Sequence, residues 1–348
     1  MFSFGANLLL NSLKIKLAMN IKPIAVVTGA NGFVGSHLVD LLIKKGFLVR
    51  CIVRKSSNLR WLEGKDLEIV NCGLFDKAGL STALTDAEYV YHVAGVVKAK
   101  KEEGYFKGNV ETTRALLEAT LENRKSIKRF LVLSSQTVTG PSLNGKPVTE
   151  EMECNPITTY GRSKYEQEKL AMSYNDRLPV TICRAPAIYG ERDTEIFIYF
   201  QNFARGITTT IGFDKKILSL IHVIDLVEGF YKAAVSENTK GKVYFISSEK
   251  FYSWSEVNAV TSKVLNRKVI KIPVPHFVVY TIAAIAQFFS LFSSQAATLN
   301  LEKAKDIVQH AWICDTSKAM KDFGYKQNIS IEKGIKRTVE WYKEMKWI

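Results

Sequence analysis

A strand, a glycine turn and a helix follow one another without interruption in IAVVTGANGFVGSHLVDLLIKKG, residues 24–46. Gly29, Gly32 and Gly35 set the spacing G-x-x-G-x-x-G. Glycine suits such a turn because the backbone must reverse tightly and approach a ligand with no Cβ in the way. A helix that opens near Gly32 aims its free N–H groups and the positive end of its dipole at that ligand, which favours an anion such as a pyrophosphate. The segment predicts a dinucleotide-binding turn formed by Gly29, Asn31, Gly32, Phe33, Val34 and Gly35, and with it an open parallel sheet.

The rest of the chain reads as α/β. Short apolar runs at Ile24–Thr28, Leu48–Val53, Leu67–Val70, Tyr89–Val93, Arg129–Ser134 and Val180–Arg184 read as buried strands. Helical periods fall between them at Val34–Lys45, Val110–Asn123 and Tyr160–Tyr174. Strand and helix alternating at this interval form βαβ units, hence a Rossmann-type doubly wound parallel sheet. Residues 21–190 are assigned to this domain, which also receives 218–247 as a helical return (Ile221–Ser236) and a strand (Lys242–Ser247). Residues 191–217, read as helix and loop over Ile196–Gly212, and the mostly helical 248–348 form a smaller substrate-binding subdomain. Residues 1–20 are set apart as a tail rather than a targeting segment, because their lysines follow the short apolar stretch, the reverse of a secretory signal.

Composition excludes several classes. Nineteen Phe, 14 Tyr and five Trp supply a real core and rule out global disorder. The five cysteines (Cys51, Cys72, Cys154, Cys183 and Cys314) never form C-x-x-C, which argues against a disulfide framework or a metal site and for a reducing, cytoplasmic setting. The formal net charge of +14 attracts anions in general, from phosphorylated cofactors to acidic lipid headgroups. It forms no basic run of five or more, so no nucleic-acid partner is expected.

The end of the second strand bears on the ribose. NAD-binding turns place an Asp or Glu there, about 20 residues after the glycines, to accept from the 2′-hydroxyl. Here Val53 holds the acid's place and Arg54, Lys55 and Ser56 follow. A guanidinium suits a 2′-phosphate through charge-assisted hydrogen bonds, so NADP is expected ahead of NAD.

Tyr160 and Lys164, four apart on a helix, share a face. The ammonium would stabilise a phenolate and lower the tyrosine's pKa toward neutrality. Ser135 ends the preceding strand beside Ser134, in position to hold a substrate oxygen against Tyr160. In order along the chain, TGANGFVG, YHVAG (Tyr91–Gly95), GNVETTRALLEA (Gly108–Ala119), LSSQTVTG (Leu133–Gly140), YGRSK, RAPAIYGE (Arg184–Glu191), IHVIDL (Ile221–Leu226) and DTSKAMKDFGY (Asp315–Tyr325) resemble the extended short-chain dehydrogenase/reductases, the family that also holds nucleotide-sugar epimerases and dehydratases. The likeness runs from residue 22 to the C-terminus.

The resemblance implies a Ser135–Tyr160–Lys164 triad in which Tyr160 donates or removes the hydroxyl proton and Lys164 also bonds the nicotinamide ribose. It implies a structural or water-holding Asn109 near the site, Ala94 and Gly95 along the adenosine ribose and phosphate, and Pro186, Ala187 and Ile188 beside the nicotinamide. His92 and His222 fall in framework positions and read as core histidines. Two departures stand out: Gly73 where the family often has an Asp for the adenine amine, and Thr112 where a glycine is usual.

Gln136 and Thr137 occupy the places where dehydratases carry an Asp-Glu pair, which makes a 4,6-dehydratase a poor match. Ala187 and Leu218 occupy the Asn and Arg positions with which epimerases grip a sugar diphosphate, although Arg205, Lys215 and Lys216 are near enough in sequence to compensate. In place of that grip comes a stretch from Ile272 to Leu301 without a single Lys, Arg, Asp or Glu. Its centre, Phe277–Phe292, is too interrupted by Gln287, Ser290 and Ser293 for a spanning helix. It reads as a buried helix, a greasy pocket wall, or a helix dipping into a membrane surface.

The pattern is most similar to the 3β-hydroxysteroid dehydrogenase and dihydroflavonol 4-reductase branches, which implies a hydrophobic alcohol or ketone (sterol-like, isoprenoid, flavonoid-like or acyl) as substrate. Peripheral membrane contact is compatible with it, and the family's habit of pairing helices implies a homodimer through Val110–Asn123 and Tyr160–Tyr174. Two other readings stay open: an epimerase with tightly bound NAD, and a non-catalytic cofactor sensor.

Overall fold

The computed structural model describes residues 22–293 and 297–348, so the tail assigned to residues 1–20 lies outside it. In chain order the strands are β1 (Ile24–Thr28), β2 (Leu48–Val53), β3 (Glu68–Asn71), β4 (Tyr89–His92), β5 (Arg129–Ser135), β6 (Val180–Ala185), β7 (Ala187–Tyr189), β8 (Ile207–Ile211), β9 (Ile217–His222), β10 (Lys242–Phe245), β11 (Phe251–Ser253), β12 (Ile270–Val274) and β13 (Ala311–Trp312). The helices are α1 (Phe33–Lys44), α2 (Lys77–Leu84), α3 (Glu102–Phe106), α4 (Thr112–Glu122), α5 (Thr159–Met172), α6 (Phe197–Ala204), α7 (Val223–Val235), α8 (Trp254–Leu265), α9 (His276–Ser290), α10 (Leu301–Ile307), α11 (Ser317–Phe323) and α12 (Ile331–Glu344).

Seven strands form one parallel sheet in the order β10-β6-β5-β4-β1-β2-β3. Helices cover both faces, which is why its strands read as unbroken apolar runs rather than alternating ones. Successive residues of β1 show the division: Val27 packs with Leu38, Leu42 and Phe230 on one face, Val26 with Leu84, Leu117 and Phe130 on the other. The order reverses between β1 and β4, and a crevice opens there above the carboxyl ends of the strands. The fold is the Rossmann-type α/β architecture expected from the alternation.

The second half adds two small sheets. One runs β11-β9-β13 with β7 beside β9, and the other pairs β8 with β12. Helix α12 closes this part, with Ile331, Ile335, Val339 and Tyr342 against Phe200, Leu218 and Tyr252. Here the structure differs from the sequence reading. The expected loop before Gly212 contains β8, where ITTTI alternates between two glycines of positive φ, Gly206 and Gly212. The expected helix from Ile221 begins only at Val223, because β9 takes Ile221 and His222. The expected helix from Val110 is preceded by a π-turn over Lys107–Glu111, and that turn carries Asn109.

The charge-free stretch is a helix, but not a buried one. Of α9 only Val279 and Ala283 are buried, packed against Ala304 and the β8–β12 pair. Phe277, Phe288 and Phe289 within it, and Phe292 just past its end, are 71, 57, 65 and 79% exposed. The buried-helix reading fails because α9 is flanked on one side only and presents a single narrow stripe to its support. No helix among the described residues is long and apolar enough to cross a membrane.

Candidate active site

The glycine turn joins β1 to α1 at the crevice. Gly29 has φ +68°, and a Cβ there would stand 2.8 Å from the Ala94 backbone nitrogen. A Cβ on Gly35 would stand 2.0 Å from the Gly29 carbonyl oxygen, so α1 can seat against the turn only as glycine. Gly32 caps α1 with no side-chain hydrogen bond, and the first turn carries no acid. The N–H groups of Phe33 and Val34 therefore have neither a side-chain cap nor a nearby carboxylate competing for them. Asn31 donates to the Asn58 carbonyl at 3.4 Å and ties the turn to the loop after β2, where Arg54 stands exposed beyond the buried Val53. A cradle of bare backbone with a basic side chain beside it fits a dinucleotide phosphate.

Ser135, Tyr160 and Lys164 come together at the crevice. Ser135 ends β5 and its Oγ accepts from Thr137 N at 3.2 Å and Thr137 Oγ1 at 3.0 Å. The same hydroxyl acts on the Tyr160 phenol and favours its ionised form. Ser134 turns the other way and is buried. Tyr160 lies in the first turn of α5, whose start is capped by Thr158 Oγ1 accepting from Gly161 N at 3.1 Å. Lys164, one turn on, donates to the Leu133 carbonyl at 2.6 Å and to Gln167 Oε1.

The electrostatics differ from the sequence expectation. Burial raises the Tyr160 phenol to about 12, against the lowering effect of Ser135 and helped by Asp306 and Tyr105. Burial also lowers Lys164 to about 7, with Glu168 opposing. Desolvation is the largest cause of both shifts. The phenol is thus neutral, a proton donor rather than a ready base.

A relay of side chains backs Lys164. Gln167 Nε2 donates to Thr113 Oγ1 at 2.7 Å, His92 Nε2 meets the same oxygen at 2.8 Å, and His92 Nδ1 meets Thr28 Oγ1 at 2.8 Å. Thr28 Oγ1 in turn accepts from Ala94 N at 3.2 Å. Burial holds His92 near 3, with the Lys164 charge adding to the effect. Asn109 is fully buried: its Oδ1 accepts from Val96 N at 2.7 Å, and its Nδ2 donates to Val96 O at 3.0 Å and Ser163 Oγ at 2.9 Å. It fastens the Ala94–Val97 loop to α5. A Cβ on Gly95 would lie 3.1 Å from Asn109 Oδ1 and 4.0 Å from Lys164 Nζ, which places Gly95 against the reacting centre. Pro186 is buried, while Ala187 and Ile188 in β7 are more open. His222 is buried as expected, next to Glu191.

Sequence reasoning missed Thr113, Gln167, Tyr105, Glu302 and Asp306. Gln167 had a signal, since it follows Tyr160 by seven residues and Lys164 by three on one helical face. The Tyr105 ring stands 6.4 Å from that of Tyr160. A pocket of about 90 Å³ is lined by Tyr105 and Thr159 together with Lys100, Lys101, Gln287 and Glu302. Lys216 is not available to a ligand, because it is buried and engages Asp214 at 3.2 Å and the carbonyls of Val308 and Gln309 at 2.6 and 3.2 Å. Leu218 is core.

Residues 25–262 match the model of the NAD dependent epimerase/dehydratase family. The chain is 27% identical over 333 residues to the ceramide reductase of Caulobacter vibrioides, covering 95% of this chain and 98% of that one. It is 23% identical to the sterol-4-alpha-carboxylate 3-dehydrogenase (decarboxylating) of Dictyostelium discoideum, over 80% of this chain and 93% of that one. The crystal structure of UDP-glucuronic acid 4-epimerase from Bacillus cereus in complex with NAD superposes with a TM-score of 0.76 at 21% identity, covering 92% of this chain and 99% of that one.

Proposed function

The chain belongs to the NAD-dependent epimerase/dehydratase family, and on that premise we propose that it is an NADP(H)-dependent oxidoreductase that interconverts a hydroxyl and a ketone on a hydrophobic, acyl- or sterol-like substrate. The observation that carries the reading is the meeting of Ser135, Tyr160 and Lys164 where β5 ends and α5 begins, with Leu218 in the core at the place of an epimerase's diphosphate-gripping arginine. The ceramide and sterol names of two relatives point to the same substrate class.

The bare-backbone turn at Gly29–Gly35 and the Ala94–Gly95 loop would hold the dinucleotide, with Pro186, Ala187 and Ile188 bordering its nicotinamide end. Arg54 would meet a 2′-phosphate. When bound, the nicotinamide supplies or accepts hydride. Ser135 holds the substrate oxygen and Tyr160 gives it a proton in reduction. Lys164 would bond the ribose hydroxyls, with Gln167, Thr113 and His92 behind it. Asn109 keeps the Ala94–Val97 loop in register with α5. The exposed face of α9, with Lys268 and Lys271 before it and Lys100 and Lys101 near its far end, supports peripheral contact with an anionic membrane, where such substrates dissolve.

The test is net cofactor turnover. Full-length protein is offered NADPH or NADH with long-chain and sterol ketones and, separately, with nucleotide sugars. Loss of nicotinamide absorbance with an apolar ketone is expected, preferring NADPH, abolished by Tyr160→Phe, and with the NADPH preference reduced by Arg54→Ala. Tightly held NAD released on denaturation, with a nucleotide sugar interconverted and no net oxidation, would overturn the reading in favour of an epimerase.

A further inference from the structure

Helix α10 lies over the start of α5 and brings two acids to it. The Glu302 carboxylate accepts the Thr159 N–H, one residue before Tyr160. Asp306 stands four residues further on, on the same face of α10. Both ends of the helix are fixed: Asn300 Oδ1 accepts from Lys303 N at 2.8 Å, and the Trp312 indole N–H donates to the Asp306 carbonyl at 2.8 Å. The Asp306 side chain is thereby held on the face of α10 that carries Glu302, and its charge acts on the Tyr160 phenol.

Its Oδ1 is buried and meets no hydrogen-bond donor among the described residues. The lysines on α10 do not resolve this, since Lys305 pairs with Glu302 at 2.7 Å and Lys303 is exposed. Burial keeps the Asp306 carboxyl near 6 against the pull of both lysines, and its charge reaches the Tyr160 phenol. A buried carboxylate oxygen without a donor costs stability that an apolar side chain of similar size would not. Groups held in that state cluster where a ligand completes them.

We propose that Asp306 is a specificity-determining residue of the active site, whose carboxylate accepts a hydrogen bond from a donor, an amide N–H or a hydroxyl, carried by the substrate beside its reacting carbonyl. The inference rests on the oxidoreductase reading for the identity of the reacting group and adds a polar requirement to it. In the reaction itself Asp306 exchanges nothing: the hydride would come from a C–H bond of the reduced nicotinamide, which is left oxidised, the O–H bond of Tyr160 would break to protonate the oxygen, and the carbonyl π bond opens to accept both. The carboxylate orients the ketone and selects it. A site built around one hydrogen bond rejects the analogue lacking it far more strongly than an apolar wall rejects a missing methylene.

A matched set of long-chain ketones tests this: one with a 2-acylamino group, one with a 2-hydroxyl, one unsubstituted. Wild type, Asp306→Asn and Asp306→Leu are compared by kcat/KM with NADPH and by the shift in unfolding temperature each ketone produces. Wild type should prefer at least one donor-bearing ketone by about tenfold or more. The two donor arms tell amide from hydroxyl. Asp306→Leu should bring that ratio to within about twofold of unity, and Asp306→Asn should fall between. A ratio unchanged in Asp306→Leu, a flat ratio in wild type, or equal loss on all three ketones would overturn the proposal. If wild type turns over none of them, the oxidoreductase reading fails. The temperature shifts then decide the inference separately: a donor-dependent shift lost in Asp306→Leu upholds the carboxylate contact, and its absence refutes it.

Discussion

Burial holds the Tyr160 proton in place through the neutral range, so the phenol is prepared as an acid and reluctant as a base. Reduction uses the protonated phenol and oxidation the phenolate. Alcohol oxidation is therefore expected to climb between about pH 7 and 10, while ketone reduction stays level around neutrality. Initial rates in both directions check this, and an oxidation profile already flat by about pH 8 would show a phenolate formed at neutral pH. Asp306 leaves its own mark on stability. Its folded-state pKa of about 6 lies above the ordinary 3.8, so the folded chain holds that proton more tightly than the unfolded one. The cost of ionising it is complete above about pH 6 and absent below the ordinary value. Asp306→Asn should therefore be more stable than wild type at about pH 8, with the gap closing as pH falls toward 4. Denaturant titrations at the two pH values measure the difference, and a destabilised variant at the higher pH would mean that the carboxylate is held by a donor after all.

At the level of elements, α9 is the outlier. Its support touches Val279 and Ala283, and its aromatic side chains face outward. Phe288→Ser with Phe289→Ser should leave the unfolding free energy within about 0.5 kcal/mol per site, as expected for exposed positions. The same pair should lower co-sedimentation with vesicles containing phosphatidylserine, and unchanged sedimentation would rule out α9 as the contact. The sequence left this helix open between buried, pocket-wall and surface readings because hydropathy records what a side chain prefers and not what surrounds it. The strands of the main sheet were legible to within a residue or so, since flanking helices on both faces force continuous apolar runs. β8 was not, because three threonines between glycines carry little apolar signal. The nearness of Ser135, Tyr160 and Lys164 could be read from spacing within one helix plus a strand end. Asp306 could not, because it meets Tyr160 only after the chain has travelled through the whole second half, and a seven-residue helix carries no motif.

For the molecule as a whole, cofactor choice should show as stability. A ligand that binds the folded chain alone adds about 2.7 kcal/mol at a hundredfold excess over its Kd. For a chain of this length that is a rise of several degrees, on the order of 2–4 °C per kcal/mol. NADPH should raise the unfolding temperature more than NADH does at equal concentration, and Arg54→Ala should shrink the difference. Equal shifts from the two would leave Arg54 as an ordinary surface arginine. The position of α10 along the chain also sets an order in time. β1 to β6, with the glycine turn and the Ser135–Tyr160–Lys164 group, lie within the first 185 residues, whereas α10 begins at Leu301. At roughly 5–20 residues per second on the ribosome, the roof over Tyr160 emerges on the order of ten seconds after the turn beneath it. On the proposed reading, a nascent chain passes through a stage in which the glycine turn has been made and the helix that carries Asp306 has not.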